Sequence, residues 1–107
     1  MGWIMVMFDL PVKTKIERQA ATAFRKALQD DGYMMINFSV YARPCVTWER
    51  MKKHEKRLHL IVPHAGDVKA FFLTDKQWKN ALTVVGKDYA DTHKQQNPNM
   101  PQQLEFW

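Results

Sequence analysis

The chain has 107 residues, 46% of them hydrophobic, with four Trp, three Tyr and six Phe; this is enough apolar material for one packed domain, so disorder is not the default reading. Sixteen Lys and Arg against eleven Asp and Glu give a net charge of +5, which leans towards a polyanionic partner without requiring one. Cys45 is the single cysteine, so an intramolecular disulfide and a CxxC zinc site are excluded, and no stretch approaches the roughly 20 apolar residues of a membrane span.

Trp3 to Phe8 is apolar without alternation, the pattern of a strand covered on both faces. It is too short for the apolar segment of a signal peptide and is closed by Asp9, so a soluble, cytoplasmic protein is expected. Pro11 ends the strand. Thr14-Lys15-Ile16-Glu17 then reads as a capping box, the hydroxyl and the carboxylate three positions on satisfying orphan amides. Ile16, Ala20, Phe24, Ala27 and Leu28 mark one helical face until Gly32 stops it.

From Tyr33 to Arg43 the period becomes two. Met34, Ile36, Phe38, Val40 and Ala42 are the expected core set, and Tyr33, Met35, Asn37, Ser39, Tyr41 and Arg43 point the other way. Whether this segment is one strand or two is open. Thr47 can cap a second helix whose expected inner face is Trp48, Met51, Leu58 and Val62. A turn at Pro63 to Asp67 leads to a strand from Val68 to Leu73, a short helical piece carrying Trp78, and a last core strand from Leu82 to Val85.

The boundaries that follow are a folded domain over residues 1–86 and, over 87–107, a polar linker with a closing apolar strand, Leu104-Glu105-Phe106-Trp107. The fold class is α+β, an open sheet with two helices on one face. Its first strand has no polar side to show water, so a second copy of the chain is the economical cover for the other face.

Asp9 sits where the first strand meets the rim of the sheet. It is either a turn residue bonding nearby amides or a ligand for a hard cation such as Mg2+. One carboxylate holds such an ion poorly, and a two-fold axis would supply the partner's Asp9. Arg50, Lys53 and Arg57 share one helical face, as do Lys15, Arg18 and Arg25; such stripes either track phosphates or are solvated surface. The four histidines, His54, His59, His64 and His93, show no ligand spacing and read as surface or helix-packing residues. Ser39 has no GxSxG context.

Taken in order, Phe8-Asp9, the basic first helix, Gly32-Tyr33 and Phe38-Ser39-Val40-Tyr41-Ala42-Arg43 resemble the CRISPR-associated protein two family. Gly66-Asp67-Val68, Thr74-Asp75-Lys76-Gln77-Trp78, Gly86-Lys87 and Gln102-Gln103-Leu104-Glu105-Phe106 resemble its type II members. The resemblance implies a ferredoxin-like homodimer whose two Asp9 carboxylates share one divalent ion, Mg2+ or Mn2+, with Ser39 close by. It implies two functions: a metal-dependent endonuclease acting on single-stranded RNA or double-stranded DNA, and a spacer-acquisition adaptor bridging two dimers of the integrase, CRISPR-associated protein one, on incoming DNA. The adaptor ranks first, because one metal without an evident general base is a thin active site. An unrelated ferredoxin-like nucleic-acid-binding module is the third reading. Many members carry tyrosine where this chain has Phe8, which removes a hydroxyl. The closing Leu104, Phe106 and Trp107 are expected to add an edge strand to the other protomer or to the integrase.

Overall fold

A computed structural model describes residues 1–81 and 84–86. Chain contacts divide it into two units, Met1–Thr74 and Asp75–Trp107. The first holds β1 (Gly2–Asp9), α1 (Lys15–Asp30), β2 (Met34–Asn37), β3 (Val40–Cys45), α2 (Trp48–Ile61) and β4 (Asp67–Thr74). The strands form one antiparallel sheet in the order β2-β3-β1-β4. Each β-α-β crossover therefore skips a position, and a third strand fills the gap: β3 lies between β1 and β2, and β1 between β3 and β4. This is the ferredoxin-like α+β arrangement that the family resemblance implies.

α1 begins as its sequence dictates. The Thr14 hydroxyl accepts from the Glu17 amide at 3.1 Å, and Glu17 Oε1 accepts from the Thr14 amide at 2.9 Å. The helix buries Ala21, Phe24 and Leu28. Ile16, expected on that face, is 77% exposed, and the buried face of the helix begins only at Ala21. α2 is capped by Thr47, whose side chain accepts from the Arg50 amide at 3.2 Å. Its inner face is Met51, His54, Leu58 and Ile61, spaced at three and four residues. Trp48 is instead 63% exposed, with Phe72 beside it and the Lys52 ammonium 5.8 Å from its ring centroid. Val62 is the exposed C-cap residue. Residue type suggested Trp48 and Val62; helical phase selected His54 and Ile61.

The core joins Ile4, Val6 and Phe8 of β1 to Phe24, Leu28, Leu58, Tyr33, Tyr41 and Cys45. Phe8 is its hinge, edge-on to Phe24 at 5.0 Å and tilted against Tyr41 at 5.8 Å. Residues 33–43 are two strands, and this corrects the expected core set in part: Ala42 is buried as expected, and Tyr33 and Tyr41 of the opposite set are buried as well. Tyr33 and Tyr41 face the helices, whereas Phe38 lies in the connecting turn with 69% of its surface exposed. Met34, Val40 and Ala42 line the opposite, helix-free face. The hairpin carries a register shift between Met35 and Asn37, so no single alternation runs through it.

On the helix-free face the cross-strand register stacks residues in rows. Trp3 lies between Pro44 and Leu73, Met5 between Ala42 and Phe71, and Met7 between Val40 and Lys69; Asp9 pairs with Asp67 at the rim. Met7 and Phe71 are each about 40% exposed, and the rows are apolar almost to that rim.

In the second unit, α3 (Asp75–Lys79) carries the buried Trp78 and an i,i+4 pair between Lys79 and Asp75 at 3.1 Å. Val84 and Val85 are exposed and form no strand, which corrects that half of the expected Leu82–Val85 strand; Leu82 and Thr83 lie outside the described residues. So do residues 87–107 and the strand expected there. No helix among the described residues is long and apolar enough to cross a membrane.

Candidate nucleic-acid interface and acidic rim

The rim at the carboxyl end of β1 is built by three connections. Phe8 donates its amide to the Ser39 carbonyl at 3.0 Å, which brings the β2–β3 turn beside Asp9. The turn is closed by Asn37, whose Oδ1 accepts from the Ser39 amide at 2.9 Å. On the other side, the loop before β4 packs against Leu10 and the Asp9 carbonyl through Gly66. Asp9 and Ser39, singled out from the sequence, therefore meet at one place.

The Asp9 side chain is exposed and projects on the helix-free side, since Ile4, Val6 and Phe8 take the other. Its cross-strand partner Asp67 is held by Lys69 two residues on along the same face. An exposed carboxylate at a rim, with a second one opposite in register, fits a hard divalent cation in charge and donor type. Among the described residues no group of three or more His, Cys, Asp or Glu side chains could hold such an ion, so a full ligand set requires water, substrate or a second chain.

The expected phosphate-binding cations separate into two kinds. Lys15, Arg50 and Lys53 are exposed on the helices. The other three are engaged. Arg18 donates to the carbonyls of Val12 and Lys13 at 3.2 and 3.0 Å. Arg57 donates to Asp31 at 2.6 Å. Arg25 is half-buried, donating from Nε to the Phe38 carbonyl at 3.1 Å, with its guanidinium carbon 4.5 Å from the Phe38 ring centroid and 5.7 Å from that of Phe8.

Asp31, at the C-cap of α1, is a node that sequence reasoning missed. Its Oδ2 lies 3.0 Å from Nδ1 of the buried His54, its Oδ1 accepts from Arg57, and its carbonyl accepts from Arg43. This ties the end of α1 to α2 and β3. His54 is thus a helix-packing residue, buried because a carboxylate from another element satisfies it. Beside it, burial raises the Tyr33 phenol well above its ordinary pKa, with the Asp31 charge adding to the effect.

A ferredoxin-like α+β sheet with one helix-free apolar face, an acidic rim and exposed cations on its helices defines the class of protein. The sequence profile of the CRISPR associated protein Cas2 family matches residues 1–81. The chain is 41% identical over 92 residues to the CRISPR-associated endoribonuclease Cas2 of Flavobacterium psychrophilum, covering 86% of this chain and 80% of that one. It is 37% identical over 105 residues to the protein of that name from Parvibaculum lavamentivorans, covering 98% and 99%. The chain belongs to the Cas2 family. Among solved structures, Streptococcus pyogenes Cas2 at pH 6.5 superposes with a TM-score of 0.59 at 21% identity, covering 78% of this chain and 99% of that one; at that identity it speaks for the fold.

Proposed function

We propose that this Cas2 chain acts in CRISPR spacer acquisition as a homodimeric adaptor that binds protospacer DNA and bridges dimers of the integrase. The observation that carries the reading is the helix-free sheet face. A row system of Trp3, Met5, Met7, Val40, Phe71 and Leu73 is costly to leave in water, and two such faces related by a two-fold axis are self-complementary. Pairing through them doubles the cationic helices, and Lys15, Arg50 and Lys53 are exposed to reach phosphates. The integrase as partner follows from the family resemblance. Residues 102–107, with Leu104, Phe106 and Trp107, extend the proposal as an edge strand for the other protomer or for the integrase.

A second reading, a divalent-metal-dependent endonuclease, is favoured by the exposed Asp9 carboxylate at the rim and by the endoribonuclease names of the relatives. Asp9 from each protomer would hold the ion, which when bound polarises a phosphate and lowers the pKa of a water. Ser39, fixed beside it through the Phe8 amide, would orient the strand.

The test is spacer integration reconstituted with the integrase, with and without this chain, alongside Asp9→Ala. The adaptor reading expects integration to need the chain and to survive Asp9→Ala; the nuclease reading expects that variant to lose Mg2+-dependent cleavage while staying folded. Integration that proceeds equally well without the chain overturns the adaptor.

A further inference from the structure

The β2–β3 turn presents a large apolar ring to water where turn chemistry asks only for small or polar residues. Phe38 is 69% exposed, yet it is not loose. Its carbonyl accepts from Arg25 Nε at 3.1 Å, and the Arg25 guanidinium lies over the ring at 4.5 Å. The same guanidinium reaches the Phe8 ring at 5.7 Å, so the ring is fixed against α1 and the end of β1. The next residue, Ser39, takes the Phe8 amide, which holds the turn carrying the ring against the end of β1. The contact with α1 also sets Phe38 on the helix side, away from the apolar face that would meet a second copy.

We propose that Phe38, backed by Arg25, is a stacking platform for an unpaired nucleobase of a single strand that crosses the helix side of the β2–β3 turn. The proposal rests on the nucleic-acid reading and adds to it a preference for single-stranded segments. An aromatic ring with a free face, backed by a cation, is the chemistry that holds single strands without reading sequence. Bases inside a duplex are already stacked on both sides and have no face to offer. Arg25 thus contributes by clamping the platform, and its fixed charge remains close enough to attract the adjoining phosphate.

The experiment compares the full chain with Phe38→Leu and Phe38→Tyr on three probes: a short oligodeoxyadenylate carrying 2-aminopurine, an abasic strand of equal phosphate number, and a blunt duplex. Phe38→Leu should weaken binding of the base-bearing strand by about 5- to 150-fold and abolish the change in 2-aminopurine emission that accompanies binding. It should leave the abasic strand, the duplex and the salt slope unchanged, and Phe38→Tyr should restore both the affinity and the emission change. Equal affinity of Phe38→Leu for the base-bearing strand overturns the platform, as does an equal loss on all three probes. Loss of self-association in Phe38→Leu, seen by sedimentation with binding unchanged, assigns the ring to a protein contact and overturns it too. A wild-type chain that binds none of the probes fails the nucleic-acid reading itself and takes the platform with it.

Discussion

Gly66→Ala tests how tightly the acidic rim is fixed to the fold. Gly66 adopts φ +106° in the loop before β4, a conformation that L residues rarely take. A Cβ there would stand 2.6 Å from Leu10 Cδ2, 2.9 Å from the Asp9 carbonyl oxygen and 3.2 Å from Leu10 Cα. The leucine methyl can turn aside; the two backbone atoms lie at the end of β1 and one residue beyond it and cannot move without shifting Asp9. The positive φ costs roughly 1–2 kcal/mol and the forced displacement about 1–3 kcal/mol, so a loss of about 3 kcal/mol is expected. That is a large part of a typical domain's stability of about 5–15 kcal/mol and lowers Tm by roughly 10–25 °C. Urea unfolding followed by circular dichroism measures it, with Gly86→Ala as control, since a Cβ at Gly86 meets nothing within 4 Å among the described residues. A loss below about 0.5 kcal/mol for Gly66→Ala would refute the claim that this glycine holds the rim in place.

Phe24→Ala removes the ring that meets Phe8 edge-on in the core and should cost about 3–5 kcal/mol in the same unfolding assay. Tyr33→Phe deletes a buried hydroxyl that has no hydrogen-bond partner among the described residues, so stability near neutral pH should hold or rise slightly. Because burial raises the Tyr33 pKa, the unfolded chain gives up that proton first as pH climbs past about 10. Wild-type stability should therefore fall with rising pH above that point, and the Tyr33→Phe variant should lack this component. Charge reversal of Arg50 and Lys53, both exposed, should flatten the salt dependence of DNA binding measured between about 50 and 200 mM salt.

Much of the fold was legible because local signals agreed with one another. The capping box at Thr14 and Glu17, the cap at Thr47 and the apolar run of β1 each have a cause within a few residues; both caps and the strand appear, though only the Ile4, Val6 and Phe8 side of β1 is buried. Where sequence reading failed, the cause was long-range. The alternation from Tyr33 to Arg43 was read as one series, but a turn at Phe38 and a register shift divide it. His54 is buried because Asp31, on a different element, reaches it, and no spacing announces that pair. The candidate site was half legible. Asp9 stood out by ending a buried strand, whereas its partner Asp67 follows only from the antiparallel register of β1 and β4. Arg25 looked like a free cation on a helical face until the turn carrying Phe38 was seen folded against it.

The central claim, that the helix-free face is a self-pairing surface, is tested most directly by sedimentation equilibrium of the wild-type chain and Met5→Glu. Met5 lies mid-row between Ala42 and Phe71 and is not part of the core cluster, so a carboxylate there leaves each protomer folded. In the dimer it buries two unpaired charges, each costing roughly 3 kcal/mol or more, enough to raise the dissociation constant by about 10⁴. The account predicts twice the chain mass for the wild type at micromolar concentration and a single chain mass for Met5→Glu with unchanged circular dichroism. A wild-type chain that sediments as a monomer, or a Met5→Glu dimer as tight as wild type, would contradict it.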